Sequence, residues 1–470
     1  MSETVVITKK TSIFKLFVQA IKGHATDFTT GSINKAIFLL AVPMILEMLL
    51  ESLFAIVDIY FVNKVGNAAV STVVLTEGSL TILYSVAWGL AMGVTAMVAR
   101  RAGEKNFKAA GDTAAQAILV ATGFSILISL IGIFFPKEVL GFMGASADLV
   151  KDHYHFTQLM LGGNIVIMLL FVNNGIFRGI GNPNIAMKSL LLANAINIIL
   201  DPLLIMGVGP FPKMGLMGAA VATTIGRACG VLYQMYFLFN GKALITLVKK
   251  QFVVNISAIK QILNTSIGGM FQFIVNSCSW IFLIKIIAES GEAVTTGYGT
   301  AIRICIFTIL PAFGLGNAAA TLVGQNLGAQ QPDRAEKSVW RTAFIALCFF
   351  ALVAVVFFFF GETLMRLFTS DPVAVQSGTE CLHILAIGYI FFAYGMILTQ
   401  SFNGAGDTKT PTYINLVVFW LLQIPIAYTL SKYFKMGPTG VYAAIGISES
   451  ILAIISIIIF KKGKWKTVKV

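Results

Sequence analysis

Charge is what this chain has least of. Asp, Glu, Lys and Arg make up only 12% of the 470 residues, whereas 57% are hydrophobic and the mean hydropathy is +0.84. A soluble domain carries about 25% charged residues. Half that density cannot cover a water-exposed globule, so the surrounding solvent is expected to be largely lipid. Paired cysteines are absent too. Cys229, Cys278, Cys305, Cys348 and Cys381 stand singly, mostly in apolar stretches, and none shows CxxC spacing. That excludes a zinc framework and a disulfide scaffold and leaves small buried hydrophobes. His24, His153, His155 and His383 lack metal-ligand spacing. The first thirty residues contain no apolar core ahead of a small-residue cleavage site, so residues 1–32 read as a cytoplasmic tail.

What is present is a series of apolar runs. They predict an all-α integral membrane protein with helices near 33–62, 68–99, 109–135, 150–177, 184–207, 214–239, 257–289, 293–323, 338–361, 375–402, 410–433 and 438–460. The net charge of +13 comes from short basic clusters between these runs, a pattern that suits anionic lipid and not nucleic acid. Lys9, Lys10, Lys15 and Lys22 precede the first run; Arg100, Arg101, Lys105 and Lys108 follow the second. Arg178 and Lys188 flank the turn after the fourth, and Lys242, Lys249, Lys250 and Lys260 surround the middle of the chain. Arg334, Lys337 and Arg341 follow the eighth, and Lys461, Lys462, Lys464, Lys466 and Lys469 end the chain. All fall on one side of an alternating topology. The positive-inside rule therefore predicts cytoplasmic termini. The default expectation for the membrane is a prokaryotic plasma (inner) membrane.

An internal repeat organises the chain. Gly66 of KVGNAAVST matches Gly291 of ESGEAVTTG, Gly103 matches Gly328, and Gly179 and Gly181 of FRGIGNP match Gly404 and Gly406 of FNGAGDT, all at an offset of 225. Later, MGLMGAAVA from Met214 matches MGPTGVYAA from Met436 at an offset of 222. Six helices return the chain to its starting side. Two six-helix lobes, 33–240 and 257–460, are thus expected to be related by a pseudo-two-fold axis along the membrane normal. Residues 241–256 read as a cytoplasmic linker and 461–470 as a basic cytoplasmic tail. The glycine motifs resemble phosphate loops only loosely and read better as tight turns or a hinge.

Charged groups inside spans are costly, about 2.5–3.5 kcal/mol for a central Asp or Lys, so each is a functional candidate. In the first span Glu47, Glu51 and Asp58 are four and seven residues apart. At roughly 100° per residue they share an arc of about 40°. In the fifth span Asn194, Asn197 and Asp201 share a face, and Pro202 frees backbone carbonyls. Asp58 and Asp201 lie at similar depths, about 6–9 Å from the outer helix ends. Such oxygens suit Na⁺, and the same pair suits a shared proton. At the repeat offset Glu47 becomes Gln272, Glu51 becomes Asn276 and Asp58 becomes Leu283, so ion coupling is expected in the N-terminal lobe. The C-terminal lobe offers Lys285, Arg303 and Glu449 instead.

AVPMIL, IVDIYFV, FRGIGNP, NIILDP, GAAVATTIG, VGQNLGA and FNGAGDTKTP occur in this order across essentially the whole chain. Together they resemble the MATE (multidrug and toxic compound extrusion) transporters of the prokaryotic NorM/DinF type. The resemblance implies export of organic compounds by Na⁺ or H⁺ antiport through alternating access. It also implies a cation site at Asp58, Asn197, Asp201 and Thr223, with Thr224 as the alternative threonine. Some bacterial relatives with a second-lobe cation site carry acids in the seventh and tenth spans, where Asn276 and Phe392 stand here, so the resemblance does not decide whether the C-terminal lobe holds a second cation site. The substrate cavity is expected at Glu51, Gln272 and Asn276, with aromatic and methionine walls. Expected partners are a small organic molecule and the bilayer, with no cofactor and the monomer as functional unit. The rival reading is a flippase for a lipid-linked or polyanionic substrate, which would require several cations facing the cavity. An intramembrane enzyme would require a nucleophile–base or metal constellation, and none is visible in the spans.

Overall fold

A backbone in lipid has no water to satisfy its N–H and C=O groups, so it must close its hydrogen bonds within helices. In the computed structural model, which describes residues 12–23 and 27–470, all regular structure among the described residues is helical. Among the described residues, twelve helices are long and apolar enough to span a membrane. They are Ile33–Asn63, Asn67–Gly103, Phe107–Phe134, Ala147–Gly179, Pro183–Met206 and Leu216–Phe239, then Ile256–Ala288, Glu292–Gly328, Pro332–Arg366, Pro372–Gly404, Lys409–Tyr433 and Pro438–Lys461. Every expected span is present. Several run past their apolar cores because polar turns at their ends continue the helix. Proline opens four of them (Pro183, Pro332, Pro372 and Pro438), where its fixed φ is helical and its missing N–H costs nothing.

The repeat recurs in backbone conformation. Lys105 and Gln330, 225 positions apart, both take φ 58, and Gly181 and Gly406 take φ 80 and 86. Gly215 and Gly437, 222 apart, take φ 54 and 59. The two halves thus turn their corners alike. They differ inside the helices. The fourth span breaks at Gly163–Asn164, where the Asn164 amide donates to Ser129 Oγ at 2.9 Å and to the Ser125 carbonyl at 3.2 Å, tying the break to the third span. The eleventh span carries π-helical stretches at Leu416–Gln423 and Thr429–Tyr433, on either side of the turn containing Pro425.

Among the described residues, both terminal segments pack on the spans. Ile13–Lys22 forms an amphipathic helix packed on the first span, with Phe14 exposed and Ala20 buried. Lys9, Lys10 and His24 lie outside the described residues. At the other end Trp465 is buried, stacked on Phe460 at 4.6 Å, and the Lys466 amine meets Glu336 at 2.6 Å. That hydrogen bond raises the Lys466 pKa. Arg100 donates to the Val468 carbonyl at 2.8 Å and Arg101 to the Val470 carbonyl at 3.2 Å. The final residues therefore strap one lobe to the other on the face that bears both termini.

On this face the second and eighth spans meet backbone to backbone. Gly103 lies against the Gln325 main chain and Gly328 against that of Arg100. A Cβ on Gly324 would stand 2.6 Å from Ala99 Cβ. Gly324→Val is therefore expected to push the lobes apart here. Spin labels at Lys105 and Gln330 read this by pulsed electron–electron resonance, as a longer distance than in the unsubstituted background.

Candidate cation site and substrate cavity

The first and fifth spans bring their acidic faces together in the N-terminal lobe. Asn197, one turn before Asp201, donates its amide to Asp58 Oδ1 at 3.1 Å and to Asp201 Oδ1 at 3.3 Å. Thr223, from the sixth span, donates to Asp58 Oδ2 at 2.9 Å. Asn197 and Asp201 are fully buried and Thr223 is 4% exposed. Two acceptors, Asn197 Oδ1 and Asp201 Oδ2, are buried with no donor. A carboxylate pair with orphaned acceptor oxygens is a place for a bound cation or a proton, because unpartnered buried acceptors are costly. Thr224 does not join them; its hydroxyl bonds back to the Ala220 carbonyl at 2.7 Å. Asn194 sits deeper and donates to the Leu50 carbonyl at 3.1 Å.

The other two acids of the first span have a different fate. Glu47 forms a buried ion pair with Arg178, whose Nε reaches Glu47 Oε2 at 3.3 Å and whose guanidinium lies 5.9 Å from the Trp88 ring centroid. Arg178 was expected among the basic loop residues. Instead its side chain is 4% exposed and points inward, because the helix carries it one turn below the loop. Glu51 pairs with Arg227 of the sixth span at 3.1 Å, and that guanidinium lies 4.8 Å from the Phe54 ring centroid. Of the three acids on this face, Asp58 alone is left without an arginine partner. Arg227 and Glu77, an exposed acid of the second span, escaped the sequence reading. Both are charges inside apolar runs, the same signal that marked Asp58.

A cavity lies against the C-terminal lobe and reaches Met92 of the second span. Gln272 and Asn276 line it; Glu51 does not, being held at Arg227 in the other lobe. Phe273, Phe313, Phe392 and Phe419 form apolar walls. Gln272 is fixed by bonds to Asn403 Oδ1 and the Thr408 carbonyl, both at 3.1 Å, and Asn276 Oδ1 accepts from Trp280 at 3.1 Å. Lys285 and Arg303 are exposed and line no part of it.

Two alike helical lobes, a buried acid cluster in one and a cavity at their junction describe a multi-pass membrane transporter. The MatE family profile matches residues 43–203 and again 269–429, once in each half, and the chain belongs to that family. It is similar to the probable multidrug resistance protein NorM of Thermotoga maritima, 26% identical over 95% of this chain and 96% of that one. The probable multidrug resistance protein YpnP of Bacillus subtilis is also 26% identical, over 95% and 98%. A crystal structure of a MATE protein in the straight conformation shares the fold, with a TM-score of 0.88 at 24% identity over 95% of this chain and all of that chain. These relatives are transporters, not enzymes.

Proposed function

We propose that the protein exports organic cationic or amphipathic molecules by antiport with Na⁺ or H⁺. In this reading the terminus-bearing face is cytoplasmic, the membrane is the prokaryotic inner membrane, and one chain suffices. The observation that carries the proposal is the Asp58–Asn197–Asp201–Thr223 cluster with its two orphaned acceptors. A cation entering from outside supplies what those acceptors lack. It drives the cycle only through different affinities for the two access states. With the terminal face shut by Gly103, Gly324 and Gly328, the present arrangement is the one that loads a cation from outside. Release of that cation inward then permits reloading with substrate. Arg178 and Arg227 are each neutralised by a glutamate, which argues against a polyanionic cargo.

The test uses purified protein in liposomes loaded with ethidium, a fluorescent organic cation. Na⁺ and pH gradients are imposed one at a time. Efflux driven by one gradient and not the other names the coupling ion. Dye that moves under neither removes antiport as the function.

A further inference from the structure

The duplicated halves carry opposite charges at one equivalent position. At the 222 offset of the last helix in each lobe, Arg227 corresponds to Glu449. At the 225 offset Glu51 corresponds to Asn276. In the N-terminal lobe the Glu51–Arg227 pair cancels its own charge. The C-terminal lobe has neither the arginine nor its partner acid, so Glu449 has no counterpart of that ion pair around it. It is the twelfth of 24 residues in the last span, so it sits at half depth. Among the described residues it is the one ionisable side chain lining the cavity.

The same wall holds two more unsatisfied groups. Asn415 Oδ1, in a residue 8% exposed, and Thr399 Oγ1 are buried with no hydrogen-bond partner, and both residues line the cavity. A carboxylate, an amide oxygen and a hydroxyl, contributed by the twelfth, eleventh and tenth spans in turn, thus line one space walled by phenylalanines. Buried acceptors without donors call for a ligand that brings N–H groups, and the carboxylate calls for positive charge. Aromatic faces add attraction for an organic cation. One carboxylate and two neutral oxygens make a poor shell for a bare metal ion.

We propose that Glu449, with Thr399 and Asn415, anchors the protonated or N–H-bearing cationic group of the transported molecule. This rests on the organic-cation reading above and names the residues that recognise the charge.

The experiment measures ethidium binding to the full chain in detergent by fluorescence anisotropy. Glu449→Gln is expected to weaken binding at least about tenfold, and Glu449→Asp to recover part of it. Thr399→Val, which keeps the volume, gives a smaller loss and serves where Glu449→Gln does not yield monodisperse protein. Unchanged affinity in both Glu449→Gln and Thr399→Val overturns the proposal, and if both still expel ethidium under a gradient the antiport reading stands without it. Wild type that neither binds nor expels ethidium takes down both. A third arm replaces K⁺ by Na⁺ at constant ionic strength. Displacement of dye by Na⁺ alone, lost in Glu449→Gln, would assign the cluster to an inorganic cation and overturn the ammonium assignment.

Discussion

Asp58→Asn and Asp201→Asn are each expected to abolish gradient-driven export while leaving a folded protein. Asparagine keeps the shape of aspartate, so the amide of Asn197 still finds an oxygen at 3.1 or 3.3 Å in either variant. In Asp58→Asn the new amide faces Thr223, whose hydroxyl can turn to accept. What is lost is the negative charge that a cation or proton must neutralise. Coupling between two ligands is a free-energy difference of about 1–3 kcal/mol, or about 5–150-fold in affinity. Removing the site removes that factor. The driven component of efflux should fall at least about tenfold, toward the level seen without a gradient. Thr223→Ala removes a neutral donor and should cost less. The measurement is the initial rate of dye efflux with and without the gradient. Wild-type driven rates in Asp201→Asn would show that the coupling ion binds elsewhere, with Glu77 the next acid to replace.

The candidate site was legible in the sequence to the extent that lipid makes charge conspicuous. Asp58, Asn197 and Asp201 stood out because each interrupts an apolar run at helical spacing and similar depth. The structure places them in one hydrogen-bonded group. The spans were legible for a related reason: a helix is the only economical way for this composition to cross lipid. Pairing was harder to see. Arg178 looks like a loop residue because it adjoins FRGIGNP, and only the three-dimensional path of the helix turns it onto Glu47. Glu51 was expected in the substrate cavity, yet its partner, Arg227, lies 176 positions away and leaves no local trace. The strap of the last residues was hidden as well. A basic tail with one tryptophan shows no periodicity, and its order comes from Phe460, Glu336 and Arg100 on distant helices.

The largest loss of stability is expected from Arg178→Met. Glu47 is fully buried and Arg178 nearly so, and their contact is two-pronged. Taking one partner from a buried pair leaves the other as an uncompensated charge, which costs about 3–5 kcal/mol. Loss of the guanidinium near Trp88 adds to that. The pair lies away from the Asp58 cluster, so the loss should appear as a lower melting temperature in detergent and poor yield, without a change in which gradient drives export. The double variant Glu47→Met with Arg178→Met separates attraction from desolvation. Replacing both charges by apolar groups of similar length is often neutral for a buried pair. The double variant should therefore melt close to wild type and well above Arg178→Met. If it melts as low as the single variant, the pair contributes geometry that methionines cannot supply. The fourth span would then need that bond to hold its inner half, Ile165–Gly179, against the first.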